Sequence, residues 1–342
     1  MFVRKTWIWA ISTVAVSGIV GGGIAGVAAS GTSASARTNG RIAWKSFARV
    51  EGAWSIYAAN PDGTHRARLT HPAAGVHDDL PDWSPDGSNL IFERIFQPAG
   101  SGLPTVADEI MRVDADGGGL RQIGACTGAC VVNDDPQYSP DGRRIVYTRL
   151  MRVRPRGSLA LGVWVMNSNG SHPHQITQLS SPPSSEDHEP AWSPDGKSIV
   201  FMRLNDAAKP TNQQAVFIVA SSGGKPRRIT PWKLNAGGPN WSPDGSKILI
   251  QSYRDCPCSQ TSQVYTVAPD GSGLTQLIDA GRNIEPNWSP DGEKIIYAHQ
   301  PTTGPGQPDL WSMDASGKNK TPIVQTTRWE SEPDWGTAPP AP

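Results

Sequence analysis

The sequence predicts an all-β, six-bladed β-propeller of four-stranded antiparallel blades, and three observations predict it. A motif centred on Trp-Ser-Pro-Asp-Gly recurs with a period near 50 residues, each copy is followed by the same order of apolar runs and turns, and the two ends of the chain supply complementary parts of one repeat. Composition agrees. With 36 Gly, 31 Pro and 13 Trp but only 18% charged residues, the chain suits short strands, tight turns and large apolar plates rather than helices.

The motif reads Pro81-Asp82-Trp83-Ser84-Pro85-Asp86-Gly87 and returns around Tyr138, Trp192, Trp241 and Trp288, then in truncated form as Pro333-Asp334-Trp335-Gly336. Successive aromatic positions lie 55, 54, 49, 47 and 47 residues apart. The aromatic ends a first strand, Ser-Pro-Asp presets a type I turn with Pro at its second position, and Gly supplies the positive φ that reverses the chain. A second strand follows as Leu90-Ile91-Phe92, Ile145-Val146-Tyr147, Ile199-Val200-Phe201, Ile248-Leu249-Ile250 and Ile295-Ile296-Tyr297. Such continuous apolar runs require cover on both faces, which neighbouring blades provide.

A third strand is read in segments such as Ile56-Tyr57, Val163-Trp164-Val165 and Leu310-Trp311, each leading to a turn of the Asn60-Pro61-Asp62-Gly63 type. A fourth strand, as in Arg66–Thr70 and Pro226–Thr230, carries the Arg, Gln and Pro that suit an exposed edge. Near Arg41 to Thr70 the chain offers second, third and fourth strands without a first, and it ends on a first strand at Pro333–Trp335. Pairing of that C-terminal strand with the N-terminal blade closes the ring. The expected organisation is 1–36 targeting segment, 37–336 propeller and 337–342 Pro-rich tail.

In the targeting segment, Arg4 and Lys5 precede an apolar stretch from Trp7 to about Ala29, and Ala34-Ser35-Ala36 fits a cleavage site. The segment is either a removed signal peptide or a membrane anchor formed by residues 7–29. Both readings place the body outside the cytoplasm: periplasmic, on the cell surface or extracellular. Four cysteines accord with export. Cys126 and Cys130 could close a small disulfide loop, whereas Cys256 and Cys258 enclose only Pro257 and would need a strained ring. Free thiols and a four-thiolate metal site are the alternatives, although neither pair has the usual metal-knuckle spacing.

The order of motif, apolar strand, third strand and Asp-Gly turn resembles the TolB-like β-propeller repeat family, over residues from about Gly40 to Trp335. Related repeats occur in tricorn protease and in the propellers of prolyl-oligopeptidase-type enzymes. The resemblance implies the architecture and leaves the function open, because the motif residues serve turns and packing. TolB itself carries a further N-terminal domain, for which this sequence has no counterpart, so the resemblance does not by itself imply a Tol-Pal role.

Antiparallel order puts the Ser-Pro-Asp-Gly turns and the Asp-Gly turns on one face of the disc. The variable loops, residues 96–107, 151–162, 205–214, 254–262 and 301–308, fall on the other, where ligand or partner binding is expected. Asp79, Asp135, Glu189, Glu285 and Glu332, with His188, are read as sitting immediately before the inner strands, at the mouth of the central channel. They could hold a basic ligand group or a cation such as calcium, or simply bond nearby backbone N–H groups. No organic cofactor is implied, and Asp114-Ala115-Asp116-Gly117 lacks the acid run of a calcium loop.

The 31 basic and 31 acidic residues cancel, which argues against nucleic acid and against membrane contact outside the N-terminal segment. No G-x-S-x-G nucleophile elbow is present. The expectation is therefore an exported, monomeric, non-catalytic scaffold for a protein, peptide or glycan of the cell envelope. A propeller-type hydrolase or lyase acting at the channel mouth is the alternative.

Overall fold

The computed structural model describes residues 38–48, 52–96, 108–153, 158–178, 185–205, 213–252, 262–278, 281–301 and 306–339. The expected N-terminal targeting segment and the pair Cys256 and Cys258 lie outside the described residues.

Blade 1 contains β1 (Asn39–Ala48), β2 (Ala53–Ala59) and β3 (Ala67–Arg68), and blade 2 contains β4 (Val76–Trp83), β5 (Asn89–Phe96), β6 (Asp108–Asp114) and β7 (Arg121–Gly124). Blade 3 is β8 (Cys130–Tyr138), β9 (Arg144–Val153), β10 (Ser158–Asn167) and β11 (His174–Gln175), and blade 4 is β12 (Ser185–Trp192), β13 (Ser198–Asn205), β14 (Gln213–Ala220) and β15 (Arg227–Arg228). Blade 5 follows as β16 (Ala236–Trp241), β17 (Ile248–Ser252), β18 (Gln263–Val267) and β19 (Thr275–Ile278), then blade 6 as β20 (Arg282–Trp288), β21 (Lys294–Gln300), β22 (Asp309–Asp314) and β23 (Thr321–Val324). The last strand, β24 (Trp329–Thr337), returns to pair with β1 and completes blade 1 in the order β24-β1-β2-β3. Its register sets Ile42 opposite Trp335, Ala43 opposite Asp334 and Phe47 opposite Trp329. The expected ring closure is thus present, with six sheets of four strands.

Period-2 alternation divides each second strand between two neighbours. Leu90 and Phe92 pack with Ala43, Ile56 and Ala58 of blade 1, while Ile91 packs with Tyr138, Ile145 and Tyr147 of blade 3. The hydrophobic core is accordingly six clusters, one between each pair of adjacent blades. The motif Trp residues are plates in these clusters, 5–6% exposed at Trp83, Trp192, Trp288 and Trp335.

The motif turns form as the residues dictate. Gly87 N–H donates to Ser84 O at 2.8 Å, and Ser84 Oγ donates to Asp86 Oδ1 at 2.6 Å. Gly87 has φ +66, and a Cβ there would lie 2.3 Å from the carbonyl oxygen of Thr337, so both conformation and space require glycine. The same Ser-to-Asp bond, 2.6 Å, recurs at Ser139, Ser193, Ser242 and Ser289.

The outer strands are shorter than the sequence suggests in blades 1, 3 and 4, where only two residues pair. A threonine explains the difference. Ile56 N–H donates to Thr70 Oγ1 at 2.9 Å, Val163 N–H to Thr177 Oγ1 at 3.0 Å, and Val216 N–H to Thr230 Oγ1 at 2.8 Å, so a hydroxyl takes the place of the next ladder carbonyl. Blades 2, 5 and 6 have Gly124, Ile278 and Val324 there, and their outer strands run four residues.

Candidate functional site

Each inner strand carries a residue-Pro-residue segment that faces the central channel: Leu80-Pro81-Asp82, Asp135-Pro136-Gln137, Glu189-Pro190-Ala191, Gly238-Pro239-Asn240, Glu285-Pro286-Asn287 and Glu332-Pro333-Asp334. Together with Gln251 they line an open space of about 140 Å³. The residue before each proline is left-handed, with φ between +50 and +58. Proline disfavours the right-handed helical region for its predecessor, and the strand register slips at this point, as between Asp79 and Asp82, so each segment is a bulge.

This geometry corrects the expected placement of the carboxylates. Asp135, Glu189, Glu285 and Glu332 lie within the inner strands and line the channel, and not ahead of the strands. The bulge interrupts the extended pattern, which made the proline look like the start of a strand that in fact begins several residues earlier. Asp79 lies one residue before the bulge of its own strand, whose bulge residue is Leu80.

The carboxylates join the blades into a belt. Asp135 Oδ2 accepts the N–H of Glu189 at 3.2 Å, Glu189 Oε2 that of Gly238 at 2.6 Å, Glu285 Oε2 that of Glu332 at 2.7 Å, and Glu332 Oε2 that of Leu80 at 3.2 Å. Where Gly238 has no side chain to offer, Gln251 Oε1 accepts the N–H of Glu285 at 2.9 Å. The step from blade 2 to blade 3 differs. Leu80 has no acceptor there, and Asp135 N–H donates within its own blade to Asp134 Oδ1 at 2.7 Å.

Three further groups complete the channel. Lys45 Nζ bridges Asp79 at 2.9 Å and Glu332 at 2.8 Å. Deeper, Asp334 accepts Trp83 N–H at 2.7 Å and Asn287 Nδ2 at 2.6 Å, while Asp82 accepts Tyr138 N–H at 2.8 Å. Burial raises Asp334 to about 6, and burial with the charge of Asp334 raises Asp82 well above the usual carboxylate range. His188 Nε2 sits 3.3 Å from Glu186 Oε2. Burial pulls its imidazole down, but the Glu186 hydrogen bond and the charges of Glu186, Asp135 and Glu189 outweigh it and hold His188 above its ordinary value. Among the described residues no group of three or more His, Cys, Asp or Glu side chains is arranged to hold a metal ion.

At the mouth, on the variable face of blade 1, Trp54 packs at 4.9 Å, tilted by 35°, against Phe47 and edge-on at 6.2 Å to Trp329. Lys45 lies 4.9 Å from the Trp54 ring centre and Arg282 5.9 Å from that of Trp329. All three aromatics are half-buried. Sequence reading missed this cluster: the β1–β2 hairpin sets Phe47 opposite Trp54, but only ring closure adds Trp329 to them. It also missed Asp82 and Asp334, for which the substitution of Asp, Gln, Ala and Asn before the motif aromatic was the available signal. On the same face Cys126 and Cys130 are joined by a disulfide.

A family model described as the TolB beta propeller domain matches residues 116–339. The chain belongs to this family. In fold it is similar to part of TolB from Acinetobacter baumannii, with a TM-score of 0.65 at 19% identity over 87% of this chain and 66% of that one. It is also similar in fold to an oligogalacturonate lyase in complex with manganese, with a TM-score of 0.55 at 15% identity over 80% of this chain and 71% of that one. In sequence it is 32% identical to the uncharacterized peptidase YuxL of Bacillus subtilis across 106 residues, which is 30% of this chain and 14% of that protein. The chain therefore spans only a small part of that relative. No helix among the described residues is long and apolar enough to cross a membrane.

Proposed function

We propose that the chain is an exported, non-catalytic scaffold that binds a protein or peptide segment of the cell envelope through its variable face and channel mouth. The rim cluster of Phe47, Trp54 and Trp329 carries this reading. Large aromatics and arginine on a rigid surface dominate binding energy at protein interfaces, and here they adjoin charges of both signs in Lys45, Arg282, Asp79 and Glu332. That mixture suits an extended peptide with an apolar anchor and charged flanks. A glycan stacking on the same rings is tested alongside it. Membership of the TolB propeller family supports a binding role, and the order of basic residues, apolar stretch and small residues at the N-terminus supports export.

The test is capture from an envelope fraction by the wild-type chain and by a Trp54→Ala/Trp329→Ala variant with unchanged melting behaviour. The captured partner should fall at least tenfold in the variant, and equal recovery by both would refute the rim as the binding surface. A hydrolase or lyase reading is favoured by one observation, the raised His188 beside Glu186, Asp135 and Glu189, which has the character of a general acid. It requires turnover of a candidate substrate that His188→Gln abolishes without loss of fold.

A further inference from the structure

The junction between blades 2 and 3 is built unlike the other five, and a polar cavity lies beside it. Where the other junctions have a motif Trp, this one has Tyr138, whose hydroxyl donates to Asn89 Oδ1 at 2.7 Å. The third-strand position that holds Val165, Ile218, Thr266, Ser312 or Ala58 elsewhere holds Arg112. Arg112 stands opposite Ile91, whose side chain packs into this junction, and directly opposed residues share a sheet face. The Nε of Arg112 is buried with no hydrogen-bond partner among the described residues. Beside them is an open cavity of about 390 Å³, lined by Asp86, Asn89, Arg112, Tyr138, Asp141 and Ser168 among others. It lies beside the Ser-Pro-Asp-Gly turns, on the face opposite the variable loops.

From this geometry we infer a small-molecule site for a neutral, polyhydroxylated ligand of monosaccharide size. The volume is within the roughly 300–1,000 Å³ usual for such pockets. The wall offers both kinds of partner. Arg112 supplies guanidinium donors: its side chain is 28% exposed, its Nη2 lies 3.9 Å from Asp114 Oδ1, and its buried Nε has no partner among the described residues. Asp86 Oδ1 and Asp141 Oδ1 are engaged by their motif serines, at 2.6 Å each, which fixes both carboxylates in place at the wall. Both carboxyls are held below their ordinary value and stay ionised: at Asp86 burial is outweighed by the hydrogen bonds from Ser84 and Ser88, and at Asp141 the Ser139 bond is the largest influence. Two fixed negative charges disfavour an anion, and Arg112 disfavours a cation. Hydroxyl groups, which donate to carboxylates and accept from guanidinium, suit both.

The experiment titrates the full chain with D-glucose, D-mannose, N-acetyl-D-glucosamine and inorganic phosphate, read by ligand-observed NMR and calorimetry. Tyr138→Trp restores the plate found at the other five junctions and replaces the phenol on the wall with a bulkier ring that lacks its hydroxyl. Arg112→Val, which copies Val165 of the next blade, is the second variant should the first fold poorly. At least one sugar should bind one-to-one to the wild type, and either folded variant should weaken it at least tenfold. Binding of none of the sugars, undiminished binding in a folded variant, or phosphate binding more tightly than any sugar would each overturn the assignment.

Discussion

On the turn face of the disc, Ser and Asp close upon themselves, whereas along the channel Asp and Glu reach across to the next blade. Each Ser-Pro-Asp-Gly turn satisfies its own carboxylate with its own serine and the next N–H, as at Asp195, which accepts Ser193 Oγ at 2.6 Å and Lys197 N–H at 3.0 Å. In the channel, Glu189, Glu285 and Glu332 turn the same chemistry on backbone donors of their neighbours. Repetition on the turn face therefore reports local folding, and repetition along the channel reports assembly of the ring. What is left half-exposed and unrepeated, the aromatic rim of blade 1, is where recognition is expected.

The largest expected effect tests the assembly half of this contrast. Removing residues 329–342 deletes β24, and with it the inner strand of blade 1, Trp335, and the acceptors Glu332 and Asp334 for blade 2. Loss of a single cooperative melting transition, followed by circular dichroism, is the predicted outcome. Next comes a comparison of two tryptophans. Trp192→Ala, in the core between blades 3 and 4, should cost about 3–5 kcal/mol in denaturant unfolding, and Trp54→Ala, at the rim, less than about 2. Equal costs would erase the distinction between structural and recognition aromatics.

A smaller effect separates the two kinds of carboxylate by pH. Serine hydroxyl bonding holds Asp195 below its ordinary value of 3.8, so its contribution is present above that pH and is lost as pH falls through the lower folded value. Burial raises Asp334 to about 6, so its contribution is complete below about pH 3.8 and is lost as pH rises through 6. His188, also raised, acts in the same direction as Asp334. Calorimetry should show Tm a few °C higher at pH 5 than at pH 7.5. Asp334→Asn should shrink that difference, and Asp195→Ala should cost about 1 kcal/mol while leaving it intact.

The ring was legible in the sequence because its determinants are local: Pro, Gly and an aromatic at fixed offsets, then an apolar run. Strand limits were less so. A left-handed residue before proline hides the first half of each inner strand, and a threonine hydroxyl shortens three outer strands. The channel acids were visible as residues but not as a belt, since their partners belong to the neighbouring repeat. Lys45 and Trp54 meet in the local β1–β2 hairpin, but Trp329 joins them only through the pairing of β1 with β24, so the cluster carried no local signal. The departure at Tyr138 stood in plain view within the motif, and its meaning came from Arg112 across the junction.

The most direct test of the binding account is hydrogen–deuterium exchange on the full chain with and without the partner captured from the envelope. Protection should appear at residues 45–48, 52–54, 76–79, 282–285 and 329–332, which are the rim and mouth of the channel. Protection confined to the Ser-Pro-Asp-Gly turns, with the rim unchanged, would contradict it.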